Sequence, residues 1–455
     1  MLGRDIRFTF VGQLLRTLFM ATTVVVVARS LGPDGQGMFA LAVWLPRTVA
    51  KFAQLGLLGV NAVFPGRYPQ QRESLFLQTF LVGGIGSALG LLVMAGFYFW
   101  LPLPKGQFEA LSIEVIGLAM LLLPLENLQE SLTELARGVQ RIGTAAVIST
   151  VSAALQAAAM VVGLLVLHGG LATAILILAG SALMTIPALI WTVRDIATLD
   201  FRKLSTEVLA ESLRFGAVLT IGTVAIFLVG NAGTYLLAQM NVPLAEIGCY
   251  SLALMLARQL EMVPTSVSQA FLPRLSNDLS QGGRETPVVF RKTFLVSMAL
   301  VGVLALAGPV AIRVLFGSRY VGSILPFLCL VPGIGLFGSF RVLGAYLWAH
   351  NKPVYGMVNN WISLLVTVGL SVAAIPMIGI YGAASGNVVG LIALSVLTAW
   401  AYLHVSGEPW RSLLPRRDDL ASLAGACRLR LKREPPAPAP VPQEDPKESA
   451  CSRSS

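Results

Sequence analysis

Apolar runs long enough to cross a bilayer recur along the chain, at 8–29, 38–61, 75–102, 111–133, 143–167 and 171–193. Six more follow at 213–239, 246–271, 289–315, 324–348, 356–376 and 382–404. A helix needs about 20 apolar residues to span the hydrocarbon core. The runs are continuous rather than alternating over about 10 residues, which excludes a transmembrane barrel. In lipid the backbone must pair within its own segment, so each run predicts a helix. The pattern therefore predicts an all-α integral membrane protein of about twelve transmembrane helices.

The longest polar interruption, RDIATLDFRKLSTEVLAES, divides the pattern into two halves. This predicts an N-lobe of six spans (1–193), a cytoplasmic linker (194–212), a C-lobe of six spans (213–404) and a tail (405–455). In the tail, PWRSLLPRRDDLASLAGACRLRLKR suits a short basic amphipathic helix on the inner leaflet. The Pro-rich EPPAPAPVPQEDPKESACSRSS reads as disordered.

One internal repeat stands out. GMFALAVWLPR (37–47) matches GCYSLALMLAR (248–258) at an offset of 211 residues, pairing Gly37 with Gly248 and Arg47 with Arg258. The same offset sets LARGVQRIGTAAV beside YLWAHNKPVYGMV. Repeats an even number of spans apart run parallel, related by an axis along the membrane normal. A substrate path between two such lobes is the expected consequence.

Composition sharpens this picture. Of 455 residues, 55% are hydrophobic and 12% charged, against roughly 25% charged in soluble domains. With a mean hydropathy of +0.74, a water-soluble enzyme is excluded, as is a disordered chain. The net charge of +10 does not point to nucleic acid. If the N-terminus is cytoplasmic, fourteen Lys and Arg fall in inner loops, four in outer loops and nine in the tail. That asymmetry puts both termini in the cytoplasm. The N-terminal segment lacks an A-x-A-like exit and reads as a retained first span.

Cys249, Cys329, Cys427 and Cys451 have no metal or disulfide spacing, and His168, His350 and His404 do not cluster. No P-loop, H-E-x-x-H or catalytic triad pattern is present. The chain is expected to be no enzyme and to need no metal or cofactor.

The candidate chemistry lies in the charges inside the spans. Arg16, Arg47, Lys51, Arg258 and Arg341 interrupt apolar runs, and each would cost about 2.5–3.5 kcal/mol at mid-bilayer in lipid. Arg214 sits at a span edge, where it can snorkel, and has no site role here. The five need water, a counter-ion or a ligand. One reading is a wet, basic cavity binding a polyphosphorylated anion, since guanidinium groups pair bidentately with phosphate oxygens. The other is internal pairing: Glu126 and Glu130 share a face of the fourth span and suit Arg47 and Lys51, while Glu261 lies three residues from Arg258. Both hold together if substrate displaces resting counter-ions. The three glutamates are also candidates for coupling to a proton or sodium gradient.

The run VVVVARSLGPDGQGMFALAVWLPR resembles the first junction of polysaccharide (oligosaccharide) flippases of the multidrug/oligosaccharidyl-lipid/polysaccharide exporter superfamily. So do SLRFGAVLTIG, AEIGCYSLALMLARQLEMVPTSVSQAFLPRLS, LFGSRYVGSILPFLCLVPG and IPMIGIYGAASGNVVG, together covering roughly residues 5–404. The resemblance implies two six-helix lobes around a V-shaped cavity, and alternating access. It further implies export of an undecaprenyl-diphosphate-linked oligosaccharide across the bacterial inner membrane, with membrane lipids and polysaccharide assembly proteins as partners. In related lipid II flippases, arginines of the first, second and eighth spans are thought to hold the diphosphate. Arg16, Arg47 and Arg258 lie on corresponding spans. Two departures count. This chain has a polar tail where lipid II flippases have two further spans, and its first span lacks the Asp of one type of drug exporter. A cation-coupled exporter and a membrane scaffold for polysaccharide assembly are the competing readings.

Overall fold

The computed structural model describes residues 2–100, 106–198, 200–277, 279–350 and 352–419. Of the basic segment expected from Pro409, residues 409–419 are described, with a 3-10 turn at Trp410–Leu413; the rest of it and the Pro-rich segment lie outside the described residues. Among the described residues every regular element is helical.

Ten helices are by themselves long and apolar enough to cross a membrane. The twelve expected spans emerge because two deviate. The run Leu2–Ala53 is interrupted at Gly32 (φ 69°), a left-handed conformation that side chains disfavour, and splits into α1 (2–31) and α2 (33–53). After a short break, α2 continues as Leu57–Arg67. α3 is Arg72–Ala95, α4 Ile113–Gly138, α5 Ile142–Met160, α6 Leu171–Thr192 and α7 Thr206–Gln239. α8 is the second deviant. It runs Leu244–Ala257, tightens into a 3-10 turn at Arg258–Glu261, and resumes as Met262–Asn277. Pro264 explains the interruption: it has no N–H for the carbonyl of residue 260, and its ring crowds that carbonyl. α9 is Leu279–Phe316, α10 Ile324–Ala349, α11 Pro353–Ile378 and α12 Ile380–Ser406.

With an even number of crossings, α1 begins and α12 ends at the same end of the bundle, called here the terminal end. At the opposite end, the far end, one apolar core is common to both halves. It contains Leu41, Ala42 and Leu45 of α2 together with Leu252, Ala253 and Leu254 of α8. Toward the terminal end the core divides. Phe64, Leu75, Leu132 and Leu189 cluster in the first half, and Phe271, Phe290, Val342 and Tyr402 in the second. A shared core that forks into two makes a V, as expected.

Contacts across the halves fix the apex. The repeat partners Gly37 and Gly248 meet each other: a Cβ on Gly37 would lie 2.2 Å from the carbonyl oxygen of Leu244, and one on Gly248 2.0 Å from that of Pro33. Only glycine permits this backbone approach. Arg29 donates to the last carbonyls of α9, Nε to Leu315 at 2.5 Å and Nη2 to Val314 at 2.7 Å. Such a cation at a helix C-terminus satisfies orphan carbonyls and opposes the dipole. Tyr320 donates to the carbonyl of Ala28 at 2.9 Å.

At the terminal end the join is narrower. Glu211 of α7 pairs with Arg67 at 3.0 Å and accepts from the Tyr68 hydroxyl. That bond, made to the protonated phenol, holds the Tyr68 pKa above its ordinary value. Ser205 caps α7 at the amide of Val208, so the helix starts within the stretch read as linker. What remains of that stretch is pinned to the start of α3, through Lys203–Glu73 and Ser205 N–Ser74 Oγ.

Candidate functional site

Within the V lies a cavity of about 310 Å³, lined by Lys51, Gly230, Asn231, Arg258, Glu261, Phe337, Arg341 and Asn387 among others. Three of the five cations singled out in the sequence, Lys51, Arg258 and Arg341, thus share one hollow. Arg47 lies one turn from Lys51 on α2 and is not among the lining residues. Arg16, on α1, is not among them either; the charges acting on it are Arg137 and Glu130.

The carboxylates distribute themselves unequally. Arg47 grips Glu126 of α4 with two bonds, Nε to Oε2 at 3.0 Å and Nη2 to Oε1 at 2.8 Å. Lys51 reaches Glu130 at 2.8 Å, and Gln54 donates to the same oxygen at 2.7 Å. Glu126 and Glu130 thus neutralise Arg47 and Lys51, as their shared helix face suggests. The third is different: Glu261 does not pair with Arg258 but with Arg341 of α10, at 2.5 Å. Arg341 also lies over the Phe337 ring, 5.1 Å from its centroid, a cation–π contact. Its Nε is buried with no acceptor.

Arg258 is left with neutral partners. Nη2 donates to the Gly230 carbonyl at 2.5 Å and Nη1 to Asn231 Oδ1 at 3.4 Å. Among the described residues it makes no ion pair. The reason is local. Gly230 has no side chain, and a Cβ there would sit 2.1 Å from Nη2, so the guanidinium packs flat on bare α7 backbone. Around it, α7 accepts further side-chain donors. Trp44 Nε1 bonds the Asn231 carbonyl at 3.0 Å while its ring stacks on Tyr235 at 4.8 Å. Asn387 of α12 bonds the Val229 carbonyl at 2.7 Å. α2, α7, α8 and α12 therefore converge on residues 229–231, and the guanidinium stands at the hollow's wall with no carboxylate bonded to it.

The sequence reading missed Gly230, Asn231, Asn387, Trp44 and Phe337. Isolated asparagines in apolar spans are a usable signal, because a polar group in a membrane helix needs a partner. One glycine among 44 carries no such signal.

The sequence profile of the polysaccharide biosynthesis protein family matches residues 2–278. This chain belongs to that family. No curated protein matches it by sequence. Among solved structures, the family member resembles the lipid II flippase MurJ in an inward closed conformation (TM-score 0.68, 14% identity, 95% of this chain and 94% of that one). It also resembles a multidrug resistance MATE family transporter of the MOP superfamily in an inward-facing conformation (0.62, 14%, 86% and 95%). The Vibrio cholerae MATE transporter VcmN in the bent form is similar too (0.58, 13%, 89% and 96%). At these identities the likeness establishes the fold alone: this family member is a multi-pass membrane protein with the helical architecture those transporters share.

Proposed function

We propose that the protein is a flippase. It carries a polyprenyl-diphosphate-linked oligosaccharide from the inner to the outer leaflet of the bacterial cytoplasmic membrane, for surface polysaccharide synthesis. One observation carries the reading: Arg258 is a cation in a membrane cavity with only neutral oxygens as partners. A charge so placed is poorly compensated, and a diphosphate supplies the missing anion in a geometry the guanidinium fork matches. Arg341 and Lys51 line the same hollow. Arg16 is assigned to the approach, and Arg47, held by Glu126 at rest, acts on substrate only when that pair opens.

The step is translocation without bond making. The sugar occupies the wet V, the polyprenyl chain stays in lipid, and the lobes rock against each other, parting the Gly37–Gly248 contact as the far end opens. Opening outward then requires Arg29 to leave the α9 carbonyls and Tyr320 to leave Ala28. The terminal end faces the cytoplasm in this scheme. Glu261, released when the diphosphate takes Arg341, is the first candidate for proton or sodium coupling, ahead of Glu126 and Glu130.

Deleting the gene is expected to accumulate inward-facing lipid-linked oligosaccharide. Wild type restores export and Arg258→Ala does not. Undiminished rescue by Arg47→Ala combined with Arg258→Ala overturns the proposed site. A drug-resistance change with normal surface polysaccharide points instead to a cation-coupled exporter. Failure of export on deleting residues 405–455, with the membrane part stable, points to a scaffold.

A further inference from the structure

Beside the Arg258 hollow lies a second cavity of about 640 Å³, between α7, the end of α10 and the start of α11. Thr223 and Ile226 line both, so the two adjoin along one face of α7. A third space of about 250 Å³, against α2, shares Phe215, Leu219, Thr223 and Trp348 with the large one. Together they continue the hollow from Arg258 toward the terminal end, where the V is widest.

Away from the charged residues near the start of α7, the lining is largely apolar. Phe215, Val218, Met357 and Trp348 supply apolar surface, and Trp348 is 49% exposed despite its size. Charge is confined to Arg214 and Glu211, one turn apart near the start of α7; further in, the polar side chains are Thr223 and Asn360. Asn360 is anchored by its amide to the Gly222 carbonyl at 3.1 Å, which leaves its own carbonyl oxygen to accept. Glu211 is already engaged by Arg67 and Tyr68 at the mouth. A flat aromatic wall with scattered acceptors suits a ligand with C–H faces and a rim of hydroxyls, which describes a pyranose ring. An isoprenoid chain has no use for the polar groups, and a bare phosphate none for the indole.

Resting on the flippase reading, we infer that this cavity is the glycan subsite. The sugars nearest the diphosphate stack on Trp348 while Arg258 holds the phosphates. Substrate selection then lies with Trp348, Phe215 and Met357, and head-group capture with the basic hollow.

The test uses the full chain in detergent and three probes. These are undecaprenyl diphosphate, the lipid-linked oligosaccharide extracted from cells lacking the protein, and the oligosaccharide released from that lipid by mild acid. Trp348→Ala is expected to weaken the glycan-bearing lipid and the released oligosaccharide by about tenfold, leaving undecaprenyl diphosphate unchanged. Trp348→Phe keeps a ring and recovers most of the loss. Arg258→Ala weakens both lipids alike. Equal loss on both lipids with Trp348→Ala, or no loss on either, overturns the glycan subsite. If undecaprenyl diphosphate binds wild type and Arg258→Ala equally, the diphosphate site falls, while the released oligosaccharide still decides the role of Trp348.

Discussion

Offset by 211 residues, the two halves place different charges at matching positions. In the first half α2 carries Arg47 and Lys51, and α4 answers with Glu126 and Glu130. The corresponding residues of the second half are Arg258 and Met262 on α8, and Phe337 and Arg341 on α10. Two cations facing two carboxylates have become two cations facing each other, relieved only by Glu261, which stands at the position of Ala50. The first half is an internally neutral frame. The second keeps an excess positive charge, and the hollow is lined chiefly by the second. A duplicated scaffold thus separates support from binding by changing which carboxylates it supplies.

The sharpest way to break the asymmetry is to give the second half what the first has. Phe337→Glu places a carboxylate at the counterpart of Glu126, within reach of Arg341 and of the hollow that holds Arg258. It removes charge-assisted bonds worth about 1.5–3 kcal/mol each and adds repulsion toward an anion. Binding of undecaprenyl diphosphate is expected to fall by about a thousandfold, measured by thermophoresis, with the melting temperature retained. Unchanged affinity would mean that the excess charge is not the binding determinant.

A second difference lies outside the hollow. Arg291 of α9 holds Asp419 at 2.7 Å and the Ser412 carbonyl at 2.7 Å, and both charged side chains are almost fully buried. The matching residue of the first half is Phe80; there the chain beyond α6 is held instead by exposed groups at the start of α3, through Lys203–Glu73. Arg291 holds the Asp419 carboxyl below the ordinary carboxylate range. A depressed carboxylate stabilises the fold above its unfolded pKa, and that contribution disappears as pH falls through the folded value. Asp419→Ala is expected to destabilise the protein by about 3 kcal/mol at pH 7, because the arginine is left buried and unpaired. The wild-type advantage should shrink in melts taken progressively below about pH 4.

Arg47 tests the frame itself. The side chain is 46% exposed and Glu126 18%, so the pair is worth less than a buried one. Arg47→Ala should lower stability by about 1 kcal/mol. Arg47→Ala with Glu126→Ala should recover part of it, since no carboxylate then remains unpaired. A double variant no better than the single would show that the pair does not hold the frame together.

How much of this is legible in the sequence follows from the range of the forces involved. The spans, the two halves and the shared hollow follow from hydropathy and from the 211-residue repeat, because membrane insertion is decided segment by segment. That Glu126 and Glu130 can neutralise Arg47 and Lys51 is legible too, as two sets with equal four-residue spacing, but which carboxylate takes which cation comes only from the structure. Glu261 is the exception. Spacing along one helix favours Arg258 as its partner, but the bare backbone at Gly230 offers Arg258 a carbonyl, and Arg341 arrives from α10, 80 residues away. Competition between helices cannot be seen in local spacing. The break in α8 is likewise invisible to hydropathy, since Pro264 alters backbone bonding without altering polarity.

The smallest expected effect concerns the position that creates the asymmetry. Gly230→Ala puts a methyl where Arg258 Nη2 now rests, 2.1 Å away. The atom displaced is the end of a flexible side chain, so α7 tolerates the change and the guanidinium moves instead. Alanine favours the helix by up to about 1 kcal/mol over glycine, so stability should hold or rise. The shifted Arg258 loses its carbonyl anchor and with it the fixed direction of its fork. Affinity for undecaprenyl diphosphate should therefore drop only severalfold, while Arg258→Lys, which keeps the charge but not the fork, should drop further. The order of these two variants separates charge from geometry. If Gly230→Ala is the more damaging, the placement of the guanidinium matters more than its fork, and binding depends on the fit of Arg258 against α7.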